Sequence, residues 1–107
     1  MNIEVQKDGP SLSVRVMHQR LDGDNLIYNA IKNNDYFSSE IEDVIIDFDS
    51  VEYINSLGIT ELVNIHRKYT DTSYGKVNFK FLNVDKKVNA ILELVEIHKI
   101  ADIEVKK

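Results

Sequence analysis

The chain contains no cysteine, and its four glycines are far apart. Without cysteine there can be no disulfide framework, thiolate metal site or thiol nucleophile. Scattered glycines leave neither GxGxxG nor GxxxxGK[ST], so we expect no cofactor of the kind that such loops bind. No apolar run approaches the roughly 18 residues that a membrane-spanning helix needs, and the N-terminus shows no signal-peptide core. These absences predict a cytoplasmic protein in a reducing compartment.

The charge balance argues against two further classes of partner. Eighteen acidic and 13 basic residues give a formal net charge of −5. Nonspecific nucleic-acid binding needs a basic face that displaces counterions, and an anionic membrane repels an acidic chain. We therefore expect neither nucleic acid nor membrane as a partner. A length of 107 residues fits one domain, residues 1–107, with a single small core.

Hydrophobic periodicity predicts the order of the elements. They are strands around Ile3–Val5 and Leu12–Val16, a helix around Leu26–Ile31, a strand at Val44–Phe48, a helix from Ser56 that stops before Thr70–Gly75, a strand at Val77–Phe81, a helix after Asp85 with the inner face Val88, Ile91, Leu92 and Val95, and a strand at Asp102–Val105. Asp22 or Asp24 should cap the first helix, and Asp85 the third.

The order β-β-α-β-α-β-α-β predicts an α/β (α+β-like) fold with right-handed crossovers and a mixed, mostly parallel sheet. Two of the strands, Leu12–Val16 and Val77–Phe81, alternate apolar and polar residues, as strands with one face in water do. We therefore expect the helices mainly on one face of the sheet.

The stretch from Val44 to Ser56 is the most informative part of the sequence. A buried-looking strand, Val44–Phe48, runs through a short acidic link to Ser56, where a helix must begin. A hydroxyl at that position lies beside the unpaired N–H groups of the first helical turn, where a negative group is most easily held. Ser56 is therefore a candidate phosphate acceptor or docking point. Plain helix capping by Asn55 and Ser56 stays open as the alternative.

Two other kinds of site can be considered on neighbouring residues. A hydrolase nucleophile elbow also places Ser between a strand and a helix, but it requires glycine where Ile54 stands, and no histidine is marked as its base. Asp47, Asp49 and Glu52 form an acidic cluster that could hold a hard cation. Neither a DxDxDG loop nor an HxxxH pair supports a metal site. We expect no catalytic residue and no metal.

The segment VIIDFDSVEYINSLGI, residues 44–59, resembles the signature of STAS domains (sulfate transporter and anti-sigma factor antagonist). That signature is a hydrophobic strand ending in Asp, an apolar pair two or three residues later, and Asp-Ser-[Ser/Thr]-Gly-[Leu/Ile]-Gly. The segment His18–Asp22 also resembles the family's Gly-x-Leu-Asp segment before the first helix. The resemblance implies a STAS-type fold, whose element order matches nearly the whole chain.

The stand-alone length is most similar to that of bacterial anti-sigma factor antagonists. The resemblance implies that the unphosphorylated protein binds an anti-sigma factor, a serine kinase with a histidine-kinase-like ATPase fold. Phosphorylation of Ser56 would release that partner, and a PP2C-type serine phosphatase would remove the phosphate. The partner-binding residues that the resemblance implies are Asn55, Ser56, Leu57, Thr60 and Asp22.

The chain departs from the signature on both sides of the acceptor. Asn55 replaces Asp and removes a negative charge, and Leu57 offers an apolar knob where Ser or Thr is usual. These departures leave a second hypothesis open. In it the same helix tip binds its partner constitutively, as a scaffold or transport-accessory module, and is never phosphorylated.

Overall fold

The computed structural model of the protein describes residues 3–73 and 77–107. Its elements in chain order are β1 (Ile3–Asp8), β2 (Ser11–Val16), β3 (Arg20–Leu21), α1 (Leu26–Asn33), β4 (Asp43–Asp47), β5 (Tyr53–Ile54), α2 (Ser56–Ser73), β6 (Asn78–Val84), α3 (Lys86–Leu94), a 3-10 turn (Ile97–Lys99) and β7 (Asp102–Val105).

Five strands form the central sheet in the order β1-β2-β4-β6-β7. β1 and β2 are antiparallel and joined by the tight turn at Gly9 and Pro10, whereas β2, β4, β6 and β7 pair in parallel. Each parallel connection passes through a helix, because parallel neighbours need a long crossover. The prediction of a mixed, mostly parallel sheet is confirmed.

The two faces of the sheet differ in polarity. On β2, Leu12, Val14 and Val16 are buried, while Ser13 and Arg15, which point the other way, are exposed. The buried face of the sheet and the buried residues of all three helices form one hydrophobic core. The helices therefore cover one face and leave the other largely in water, as the alternating strands predicted.

Several boundaries differ from the sequence prediction. α2 continues through Ser73 rather than stopping before Thr70, and the Thr70 hydroxyl donates to the His66 carbonyl one turn earlier, at 2.9 Å. Residues 74–76, part of the loop predicted there, lie outside the described residues. Val95 was predicted to face the core but is 44% exposed, because α3 ends at Leu94.

The prediction that Asp85 caps the third helix is confirmed, but the predicted cap of the first helix is wrong. Asp85 accepts a hydrogen bond from the Lys87 N–H at 2.8 Å, as an N-cap carboxylate should. The residue that precedes α1 is Asn25, rather than Asp22 or Asp24. The short strands β3 and β5 were not predicted, since two residues are too few to show a period.

Candidate functional site

A two-stranded parallel sheet, β3 with β5, places the start of α2 beside the segment before α1. Arg20 pairs with Tyr53, and Leu21 pairs with Ile54. The pairing continues beyond the strands, because the N–H of Asn55 donates to the Leu21 carbonyl at 3.2 Å. Residues that are 33 positions apart in the sequence are thereby held side by side.

Asn55 caps α2. Its side-chain oxygen accepts hydrogen bonds from the N–H groups of Leu57 and Gly58, both at 3.0 Å. Its backbone carbonyl accepts the first helical bond, from the Ile59 N–H at 3.0 Å. The cap is therefore Asn55 and not Ser56, and two N–H groups that would lack a partner within the helix, those of Leu57 and Gly58, are bonded to it.

Ser56 is the first residue of α2 and its side chain is exposed. Within the described part of the chain, its hydroxyl makes no hydrogen bond. Its carbonyl accepts a bond from the Thr60 hydroxyl at 2.9 Å, one turn further along. The Ser56 oxygen thus lies at the helix N-terminus, as predicted, in reach of another protein and without a structural task of its own.

Gly58 allows α2 to approach β3 closely. A Cβ added there would overlap with the backbone carbonyl of Leu21 and lie 3.0 Å from the Ile54 side chain. Only glycine fits such an approach without a shift of the backbone. The Gly of the sequence motif is therefore needed where the helix tip meets the β3–β5 pair.

Leu57 covers the loop that precedes α1. A Cβ added to Gly23 would lie 3.0 Å from the Leu57 Cδ1 atom, and Gly23 has a φ of +116°, which other residues rarely adopt. Leu57 nevertheless keeps 58% of its surface exposed. It is thus anchored on one side and open to a partner on the other.

Asp22 lies in the same loop and is half-buried. Its carboxylate accepts from the Arg20 Nε atom at 3.2 Å, and the Arg20 guanidinium stacks over the Tyr53 ring at 4.2 Å from the centroid. Both interactions are exposed, so each contributes little to stability. They do give the surface beside Ser56 a cation, an anion and an aromatic face.

The residues implied by the resemblance therefore lie on one continuous surface. We call it the tip surface and define it by Asp22, Gly23, Asn55, Ser56, Leu57 and Thr60. Asn55 and Asp22 are half-buried, whereas Ser56, Leu57 and Thr60 are exposed. The Thr60 hydroxyl is already bonded to the Ser56 carbonyl, so it offers a partner its methyl group and remaining lone pairs.

Glu61 is a structural residue of this region that the sequence analysis missed. It is 1% exposed, and its Oε2 atom accepts hydrogen bonds from the N–H groups of Ile27 at 2.8 Å and Tyr28 at 3.0 Å. Burial raises the pKa of its carboxyl, and Asp24 adds to the rise, although the two N–H bonds oppose it. A Glu beside Leu62 gave no sequence signal of burial.

Two residues of the predicted acidic cluster, Asp47 and Asp49, are bonded to other protein groups. Asp47 Oδ1 accepts from the Asp49 N–H at 2.9 Å and from the Asn83 amide at 3.1 Å. Asp49 is paired with Lys106 at 3.1 Å. Across residues 3–73 and 77–107, no three His, Cys, Asp or Glu side chains are grouped so that they could hold a metal ion.

His66 is the histidine of α2. It is half-buried, its ring lies 5.2 Å from that of Phe79, and burial lowers its pKa. It follows Ser56 by ten residues on the helix, which at 1.5 Å per residue separates them by roughly 15 Å. That separation prevents His66 from acting as a base for the Ser56 hydroxyl.

The family model for the STAS domain matches residues 5–106. The chain therefore belongs to the STAS domain family. No curated protein sequence gave a match to it. Among the helices of the described segments, none is long and apolar enough to cross a membrane.

Solved structures of three proteins share the fold. A Thermotoga maritima protein provisionally assigned as an anti-sigma factor antagonist has a TM-score of 0.68 and 21% identity, covering 95% of this chain and 85% of its own. The anti-sigma factor antagonist SpoIIAA in its unphosphorylated form has a TM-score of 0.63 and 12% identity, with 98% and 88% covered. The murine anion transporter Slc26a9 has a TM-score of 0.68 and 16% identity, covering 88% of this chain and 15% of its own.

Proposed function

We propose that the protein is a bacterial anti-sigma factor antagonist, formed by a single STAS domain of residues 1–107. Unphosphorylated, it binds an anti-sigma factor that is also a serine kinase, and phosphorylation of Ser56 releases that partner. The observation that carries the proposal is the Ser56 hydroxyl, which is exposed on the first turn of α2 beside the exposed Leu57. In this role the domain binds and is modified, and it does not itself catalyse a reaction.

Two of the structural relatives support the choice of class. The Thermotoga maritima protein is assigned as an anti-sigma factor antagonist, and SpoIIAA is an anti-sigma factor antagonist with a defined unphosphorylated form. We propose the same class of partner here: an anti-sigma factor with a histidine-kinase-like ATPase fold, with a PP2C-type serine phosphatase to reset the switch. Such a system belongs to transcription control and signal transduction in the cytoplasm.

The physical basis of release is charge at the tip surface. A phosphate on Ser56 adds about −1.5 to −2 charges at neutral pH. The side chain of Asn55 already occupies the N–H groups of Leu57 and Gly58. The phosphate would therefore gain mainly from the helix dipole, about 0.3–1 kcal/mol, and would keep most of its charge directed at the partner.

The size of the effect suits a binary switch. In a docked interface, the added charge must be desolvated or must face like charge, which costs several kcal/mol. Converting a mostly bound population into a mostly free one takes about 5.5 kcal/mol of differential affinity. One phosphate at the centre of the contact is thus close to sufficient, and no refolding of the domain is needed.

The test is phosphorylation of the purified domain by its cognate serine kinase with ATP, followed by mapping of the site by mass spectrometry. The proposal predicts one phosphate, on Ser56, and none on the Ser56→Ala variant. Thr60, one turn away on the same exposed face, is the matched internal control and should stay unmodified. Phosphate on another residue, or equal partner affinity for Ser56→Ala and Ser56→Asp, would contradict the proposal.

A second function, constitutive binding as a scaffold or transport-accessory module, is favoured by one observation. Asn55 and Leu57 place an uncharged amide and an apolar side chain on either side of Ser56, which suits a permanent contact as well as a reversible one. The fold also occurs within the murine anion transporter Slc26a9. Protein isolated from its host under several growth conditions would then carry no phosphate on Ser56 and would bind its partner throughout.

A further inference from the structure

The N-terminus of α1 lacks a cap of its own. The preceding residue, Asn25, has a φ of 53°, and its side chain makes no capping hydrogen bond. The first turn, which starts at Leu26, contains no acidic residue. The N–H groups of a first helical turn have no intrahelical partner, so they require one from elsewhere in the molecule when they are buried.

Glu61 supplies that partner from α2. Its carboxylate accepts from the Ile27 N–H at 2.8 Å and from the Tyr28 N–H at 3.0 Å, across 34 and 33 residues of sequence. Glu61 is also the one charged residue that is fully buried in the described part of the chain. Burying a carboxylate is costly unless it is well bonded, so its place here calls for a structural reason.

The segment from Leu21 to Tyr28 is held by α2 and its cap residue Asn55 at three successive points. At its start, Leu21 accepts from the Asn55 N–H and packs against Gly58. In the middle, Gly23 lies under Leu57. At its end, the first turn of α1 is bonded to Glu61, as described above.

We infer that Glu61 is a positioning residue that fixes the Asp22–Gly23 loop beside Ser56 by anchoring the first turn of α1. Without it, the loop would be held only at its β3 end and by the Leu57 side chain over Gly23. Asp22 and Gly23 would then be less firmly fixed relative to the four residues of the tip surface that belong to α2 and its cap. The importance of the loop for binding rests on the proposed function, but the anchoring does not.

Amide hydrogen exchange of the free domain measures this anchoring directly. The Ile27 and Tyr28 amides should be protected in the wild-type protein, although first-turn amides normally exchange freely. In Glu61→Leu they should exchange roughly tenfold faster or more, relative to the core amides of Val44 and Ile46. In Glu61→Gln, which keeps an acceptor but not the charge, the acceleration should be smaller.

A second readout follows the loop itself. The nuclear Overhauser contact between the Gly23 α-protons and the Leu57 methyl groups should weaken in Glu61→Leu and persist in the control Glu93→Gln. Glu93 is an exposed carboxylate of α3 that accepts from the Asn89 amide at 3.2 Å, so its loss tests a generic helix-surface bond. Glu61→Gln carries the same test if the leucine variant does not fold.

Three results would overturn the inference. They are unprotected Ile27 and Tyr28 amides in the wild type, acceleration spread evenly over the core amides, and an unchanged Gly23–Leu57 contact once the α1 amides are released. None of these measurements uses a partner or a phosphate. A failure of the Ser56 switch would therefore leave the role of Glu61 standing, and the reverse also holds.

Discussion

The first two turns of α2 put their polar groups to opposite uses. Ser56 exposes a hydroxyl that has no bond within the described residues, whereas Glu61, five residues later, buries a carboxylate that accepts two backbone hydrogen bonds. In the proposed function, the Ser56 hydroxyl accepts a phosphate and the fold is left unchanged. Changes to the Glu61 carboxylate should destabilise the fold, because two buried backbone N–H groups depend on it. The comparison indicates that an exposed group with no bond in the described part of the chain stands on a helix start that buried hydrogen bonds hold in place, and the proposed switch depends on both.

Of the substitutions considered, Gly58→Ala should lower the free energy of unfolding most. Helix propensity alone would make Gly58→Ala stabilising by about 1 kcal/mol. The added Cβ would overlap with the Leu21 carbonyl, which is backbone and cannot rotate away. We therefore expect a net loss of about 3 kcal/mol from the free energy of unfolding, measured with urea. Thr60→Ala, exposed two residues later, should change it by less than about 0.5 kcal/mol.

Removal of the Glu61 carboxylate should cause the second largest loss in the free energy of unfolding. Glu61→Leu leaves the Ile27 and Tyr28 N–H groups buried without an acceptor, which should cost about 2 kcal/mol. Glu61→Gln should cost less because its carbonyl oxygen can still accept. A leucine variant as stable as the wild type would show that these two N–H groups find other partners.

The pH dependence of Glu61 has a definite sign. Burial raises its folded pKa above the usual value of 4.5. The folded state then holds the proton more tightly than the unfolded chain, so this contribution to stability is complete below 4.5 and is lost as pH rises through the folded pKa. The wild type should lose stability relative to Glu61→Gln over that window. A constant difference in the free energy of unfolding would contradict the raised pKa.

Removing the Asn55 cap of α2 should lower the free energy of unfolding by about half as much as removing the Glu61 carboxylate. Asn55→Ala removes the acceptor for the Leu57 and Gly58 N–H groups and should cost about 1 kcal/mol. Asn55→Asp keeps the acceptor and adds a charge at the helix N-terminus, which should gain about 0.3–1 kcal/mol. Thermal unfolding of the three proteins at low salt would check this order, and an alanine variant equal to the wild type would contradict it.

Substitution of His66 should have the smallest effect on stability. The pH dependence of stability that His66 contributes should have the opposite sign to that of Glu61. Burial lowers its folded pKa below 6.5, so the stability it contributes is present above 6.5 and is lost as pH falls through the folded value. Replacing it with Gln should therefore flatten the loss of stability between about pH 7 and pH 5. An unchanged slope would show that other groups dominate this range.

The sequence predicted the central sheet, its buried face and the start of α2 at Ser56. It did not predict the hydrogen bonds that connect α2 to the segment before α1. The alternation in β2 indicated which face is buried, and the run from Val44 to Ser56 located the helix start. Glu61 and the β3–β5 pair depend on groups more than 30 residues apart, which no local pattern reveals. Ser73 was missed as the end of α2 because Thr70, Asp71 and Thr72 are weak helix formers, so propensity predicted an earlier end.

The most direct measurement compares the wild-type domain with one that carries phosphoserine at position 56. Both forms should unfold with free energies within about 1 kcal/mol of each other, while the affinity for the anti-sigma factor falls by about 10⁴-fold. Equal affinities of the two forms, or a loss of binding that comes with unfolding of the phosphorylated domain, would contradict the account.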